Sequence, residues 1–106
     1  LTSQTSRSCR LVLFYESEQQ ASDDARHELT IARRKVEDDL GSVAVMNVSY
    51  CNAVCVAYGI TQCPTCILFD EHNNVLARIE DATKFTRLWF LEELKGILKN
   101  RRLQCV

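Results

Sequence analysis

The 106-residue sequence holds a single proline, three glycines, one methionine and one tryptophan. With so few chain-breaking residues it contains no Pro/Gly-rich linker, and no low-complexity tract or internal repeat. It lacks an excess of either charge: the formal net charge is −1. That balance excludes the basic footprint of a nucleic-acid binder, and no nucleic-acid partner is expected. The one dense basic run, Arg33-Arg34-Lys35, is followed at once by Glu37-Asp38-Asp39 and reads as a solvated helix face. No apolar run approaches the roughly 18 residues that would span a membrane, so no membrane insertion is expected in this segment. The opening Leu1-Thr2-Ser3-Gln4 has neither a signal-peptide pattern nor an initiator methionine, and reads as the start of a mature or excised segment.

What the chain has in quantity is cysteine, six in all, together with the glycosylation sequon Asn47-Val48-Ser49. Both point to the secretory-pathway lumen, the endoplasmic reticulum included, or to an extracellular site, where thiols pair. Buried free cysteines are common, so a cytoplasmic location is the alternative. The length suits one domain with its own core. Residues 1–9 read as a flexible lead-in, 10–99 as the folded domain and 100–106 as a C-terminal tail.

Leu11-Val12-Leu13-Phe14-Tyr15 is a continuous apolar run, the mark of a strand buried on both faces. After a polar link, Ser22 is positioned to cap a helix whose first turn carries Asp23 and Asp24. Ala25, Leu29, Ala32, Val36 and Leu40 recur at spacings of three and four along it, and Gly41 stops it. A second strand follows over 43–48, then a short helix over about 50–58 that ends at Gly59. Cys66 to Phe69 and Val75 to Ile79 are two strands joined by the turn residues 70–74, hence a hairpin. A final helix over about 83–99 would place Phe85, Leu88, Leu91, Leu94 and Leu98 on one face. The order is β-α-β-α-β-β-α, an α/β fold with a mixed four-stranded sheet flanked by helices.

That order, and the residues themselves, resemble the thioredoxin-like superfamily. "YGITQCPTCILF" resembles the segment in which Tyr-Gly-Ile leads to a cis-proline, a threonine and a buried strand. "VAVMNVSY" is similar to the strand before the short helix, and "NNVLARI" with the last helix to the closing hairpin and helix. The resemblance covers residues 10–99. It implies a cis Cys63–Pro64 bond, and it implies that the first strand and helix of full-length thioredoxins are missing here. Where thioredoxins place their Cys-Gly-Pro-Cys, at the start of the helix after the first core strand, this chain reads "FYESEQQAS". Gln19 and Ser22 fall at the two cysteine positions, and Leu13 falls where thioredoxins bury an acid. The resemblance therefore implies a redox-inactive, non-catalytic member.

In thioredoxins the residue before the cis-proline faces the site rim, and its backbone pairs with extended peptide. Carried over, this implies a peptide-binding edge of Tyr15, Glu16, Gln19, Gln20, Cys63 and Pro64. Cys63 and Cys66 are three apart in extended chain, roughly 10 Å between Cα atoms, beyond the reach of a disulfide. Cys66 reads as a small core hydrophobe, and Cys63 as the more accessible thiol. Cys51 and Cys55, four apart on the short helix, have Cβ atoms about 5–6 Å apart. That is too far for an undistorted disulfide and suits a metal ligand pair. A metal needs two further ligands, Cys63 being the nearest candidate, and His27 and His72 read as solvated, so no metal or cofactor is expected. A Cys55–Cys63 disulfide is conceivable, and Cys9 and Cys105 could pair with each other or with a neighbouring chain. Trp89 and Phe90 read as widening the core contact of the last helix, with an exposed anchor for a partner as the other option.

Three functions follow as expectations. The first is a non-catalytic domain for protein recognition or scaffolding, its partner a protein, an extended peptide or other domains of the same chain, within a larger disulfide-handling protein of the secretory pathway. The second is a thiol–disulfide oxidoreductase or glutathione-using enzyme working through Cys63 with Cys55 or Cys66. The third is a structural spacer stapled by disulfides. The loss of the dithiol weighs against the enzyme.

Overall fold

The computed structural model describes residues 9–97 and 99. Strand β1 (Cys9–Tyr15) leads to helix α1 (Gln20–Leu40), strand β2 (Gly41–Asn47), a 3₁₀ turn (Val48–Tyr50) and helix α2 (Asn52–Tyr58). Strands β3 (Thr65–Phe69) and β4 (Val75–Ile79) follow, then a second 3₁₀ turn (Ala82–Lys84) and the closing helix α3, residues 87–97. The sheet order is β2-β1-β3-β4. β1 runs parallel to β2 and antiparallel to β3, and β3 runs antiparallel to β4. The expected mixed four-stranded α/β architecture is the one observed.

The two central strands are buried on both faces, which is why they read as unbroken apolar runs. Along β1, Cys9, Leu11 and Leu13 join Cys66 and Leu68 of β3 against the stripe of α1 (Ala25, Leu29, Ala32, Val36, Leu40) and against α3. Val12 and Phe14 point the other way with Ile67 and Phe69, and pack against Cys55, Val54 and Tyr58 of α2. The period-two alternation of a strand thus serves two cores. Each fully buried leucine or phenylalanine contributes about 1.5–3 kcal/mol to that packing.

Local signals fix the connections. Gly41 takes φ 134°, open to glycine alone, and its N–H returns to Glu37 O to close α1. Gly59, left-handed at φ 63°, ends α2 with its N–H on Cys55 O and Val56 O. The hairpin turn is held by Asp70, whose carboxylate accepts from the N–H groups of His72 and Asn74 and from Asn74 Nδ2. His72 is exposed there, as His27 is on α1.

Four expectations need correction. The first strand starts at Cys9, buried in the core, so that residue belongs to the fold; residues 1–8, Leu98 and 100–106, with Cys105 among them, lie outside the described residues. Gly41 stops α1 as expected, but the second strand spans Gly41–Asn47 rather than 43–48. Ser22 does not cap α1: the cap lies three residues earlier, at Gln19, and the helix starts at Gln20. The last helix is not continuous over 83–99. Asp81 caps the 3₁₀ turn through the Thr83 N–H, and Thr86 Oγ1 accepts from the Trp89 N–H to start α3 afresh. Within α3 the backbone widens to a π-turn at Trp89–Glu93, which re-aims the face. Leu88 is left 68% exposed, while Trp89 and Phe90 are 4% and 2% exposed. The two rings pack edge-to-face at 5.1 Å, with Phe85 completing the cluster. The core reading of Trp89 and Phe90 holds, and neither is a surface anchor.

Candidate functional site

Parallel pairing brings Tyr15 opposite Asn47, and antiparallel pairing brings Phe14 opposite Thr65. The carboxyl ends of β1 and β2 and the start of β3 therefore meet at one end of the sheet. The loop 16–19, the start of α1, Asn47, the start of α2 and the Cys63–Pro64 segment all gather there. Tyr15 is half-buried with the Arg26 guanidinium 4.0 Å from its ring centre. Glu16, Ser17 and Glu18 are exposed, and Glu18 is left-handed at φ 62°. Gln20 is exposed and donates from Nε2 to Asp24.

The two positions aligned with the thioredoxin dithiol are tied to each other. Ser22 Oγ accepts from the Glu16 N–H at 3.1 Å and donates to Gln19 Oε1 at 2.5 Å. Ser22 is fully buried. The pair folds the loop back onto the helix start, a structural use of the place where a nucleophile would need to be free. Leu13, at the aligned acid position, is 0% exposed between Val45 and Cys66 of the neighbouring strands.

The Cys63–Pro64 peptide bond is cis, as the resemblance implies. Pro64 and Thr65 are buried, and Thr65 Oγ1 donates to Gln62 O at 2.7 Å. Cys63 is half-buried and takes part in none of the strand pairings among the described residues. Burial raises its thiol pKa, and the neighbouring Glu16, Cys55 and Cys51 raise it further. Its thiolate is therefore scarcer near neutral pH than that of an exposed cysteine. Cys66, 1% exposed in β3, is pushed far above the ordinary thiol range by burial alone. It is a buried core residue.

Cys51, Cys55, Cys63 and Cys66 stand as free cysteines in this structure. No three His, Cys, Asp or Glu side chains among the described residues converge as a metal site. The sequence reading missed that the sulfurs of Cys51 and Cys55 meet, 3.6 Å apart. Cys51 also lies 3.2 Å from Asn47 O, as its donor. The missed signal was the position of Cys51 at the cap of α2 rather than inside it, at φ −137° and ψ 47°. Burial first, then the hydrogen bond to Cys55, raises the Cys51 pKa.

Two further groups brace the site. Asn47, the sequon asparagine, accepts from the Ser49 N–H through Oδ1 and donates from Nδ2 to Ser17 Oγ at 2.8 Å, linking the end of β2 to the loop 16–19. Arg78 of β4 donates to the Tyr58 and Gly59 carbonyls at the end of α2, and pairs with Glu80 at 2.7 Å. Those carbonyls have no partner within the helix, so the guanidinium satisfies them. No helix among the described residues is long and apolar enough to cross a membrane.

The fold and site together define a class: a mixed sheet with helices on both faces, and a cis-proline leading into a central antiparallel strand. Solved structures similar to it include the following three. Thioredoxin-2 of the malaria parasite, described as a component of that parasite's protein secretion machinery, superposes with a TM-score of 0.72 at 13% identity, covering 84% of this chain and 82% of that one. The Edwardsiella tarda protein Trxlp gives 0.62 at 20% identity, with 92% and 87% covered. The Drosophila melanogaster germline thioredoxin Deadhead gives 0.63 at 15%, with 96% and 85% covered. The domain has the thioredoxin-like fold. No family model matches the chain, and no curated protein matches it.

Proposed function

We propose that this domain recognises extended polypeptide and does not catalyse dithiol exchange at the start of α1. The observation that carries the reading is the placement of Cys63. Its peptide unit lies beside the loop after β1 and outside the strand pairings, where an added strand can take main-chain hydrogen bonds. The Gln19–Ser22 pair, hydrogen-bonded and without a thiol, supports the absence of catalysis there. Tyr15, Glu16, Gln19 and Gln20 form one wall of the edge and Cys63 the other, with the buried Pro64 beneath it. Because main-chain bonds dominate, sequence preference is loose. Six cysteines and the sequon support a place within a larger disulfide-handling protein of the secretory pathway.

The test is an NMR titration of the 106-residue chain with peptides from an unfolded protein. Amide shifts at residues 15–22 and 61–64 are expected. Shifts confined to Leu88 and its neighbours on α3 would overturn the reading and move the interface to that helix.

A further inference from the structure

We propose that Cys51 and Cys55 form a second site, a reversible dithiol–disulfide pair that exchanges with low-molecular-weight disulfides. It adjoins Cys63 of the recognition edge but does not rest on that reading. Two thiols inside a helix at this spacing hold their Cβ atoms about 5–6 Å apart, whereas a relaxed disulfide wants about 3.5–4.5 Å. Here only Cys55 is helical. Cys51 stands at the cap with non-helical φ and ψ, and the sulfurs already lie 3.6 Å apart. Closing them by about 1.5 Å to bonding distance takes a rotation at Cys51 and leaves α2 wound. The sulfur–carbonyl contact to Asn47 is given up in the process.

The order of events follows from exposure. Cys51 is half-buried and Cys55 buried, so Cys51 meets the incoming reagent. Its thiolate attacks one sulfur of the small disulfide RSSR and expels RS⁻, leaving a mixed disulfide on Cys51. The Cys55 thiolate then attacks the Cys51 sulfur and expels the second RS⁻. Two protein thiols lose two protons and two electrons, and one RSSR becomes two RSH. A ring closed over so few residues constrains the unfolded chain little, so the bond adds little stability and reopens under excess thiol.

The experiment uses the whole chain and oxidised glutathione, followed by an acid quench, alkylation and chymotryptic digestion. Cleavage after Tyr50 and Tyr58 releases Cys51 and Cys55 together in peptide 51–58, apart from Cys63 and Cys66. Peptide 51–58 should appear unalkylated, free of glutathione and lighter by two hydrogen atoms than the dithiol, and dithiothreitol should reverse this. Held sulfurs have a high effective concentration, so the closed peptide should be about tenfold or more enriched over the same treatment in urea. In Cys55→Ser, glutathione should remain on Cys51. A doubly alkylated 51–58, a link from it to Cys63, or equal closure in folded and urea-treated protein would each overturn the proposal.

Discussion

If only the residues at positions 19 and 22 separate this domain from a working dithiol, restoring them should restore chemistry. The perturbation is the double substitution Gln19→Cys with Ser22→Cys. Position 19 is the cap of α1 and position 22 lies in its first turn, with their side chains already in contact. The helix terminus favours an anion by about 0.3–1 kcal/mol. At about 1.36 kcal/mol per pKa unit, the introduced thiol at position 19 falls by about half a unit below the free value of about 8.5. The thiolate fraction at pH 7 then rises about threefold. Lower basicity also weakens the nucleophile, with a Brønsted slope of about 0.4–0.5, so the net gain in alkylation rate is about twofold. Asp23 in the same turn works against the anion, but it is exposed and faces Arg26 at 4.0 Å, so its effect is small. Losing the Ser22 acceptor for the Glu16 N–H costs about 1 kcal/mol of stability. The assay is iodoacetamide alkylation assigned by mass mapping, beside insulin reduction under dithiothreitol. The native chain should not accelerate insulin reduction, and the double variant should. Alkylation at position 19 slower than that of an exposed cysteine, with insulin reduction unchanged, would refute the equivalence of these positions with the thioredoxin site.

Leu13→Asp places a carboxyl at a fully buried position with no polar partner, and should destabilise by about 3 kcal/mol or more from lost apolar burial and desolvation. Burial raises the folded-state pKa above the unfolded value of about 3.9, so the penalty grows as pH rises above that value, by about 1.4 kcal/mol per unit until the folded pKa is reached; urea melts at pH 4 and pH 7 that show equal losses would contradict this. Brief alkylation of folded protein should label Cys63 before Cys66, since only Cys63 is partly exposed; fast labelling of Cys66 would show that β3 opens readily.

The strands were legible because both central ones are buried on two faces, and Leu11 to Phe14 and Ile67 to Phe69 had to be apolar throughout. Helix α1 was legible because its stripe obeys the helical period over its whole length. The closing segment misled because Phe85, Leu88, Leu91 and Leu94 also keep that period. The sequence shows no sign that Thr86 restarts the helix, or that a π-turn exchanges Leu88 for Trp89 and Phe90. The start of α1 was misplaced for a related reason. Ser22 has the chemistry of a cap, but its hydroxyl is used to fasten Glu16 and Gln19. At the site, the absence of cysteine from positions 19 and 22 could be read directly, as could the proline. The meeting of Cys51 with Cys55 could not, because it depends on one backbone conformation at the helix cap.

The Arg78 guanidinium has a consequence for any strand that docks beside Cys63. It fastens the end of α2 to β4, and Gln62 Nε2 reaches Glu80 O at 3.1 Å, so the stretch from Gly59 to Pro64 is held to the sheet at both ends. The receiving main chain is ordered before the partner arrives. The loss of freedom on docking, about 1–2 kcal/mol for each residue fixed, then falls on the incoming polypeptide alone. Between two ligands making the same hydrogen bonds, the one already stiffened into an extended form, by cyclisation for instance, binds more tightly.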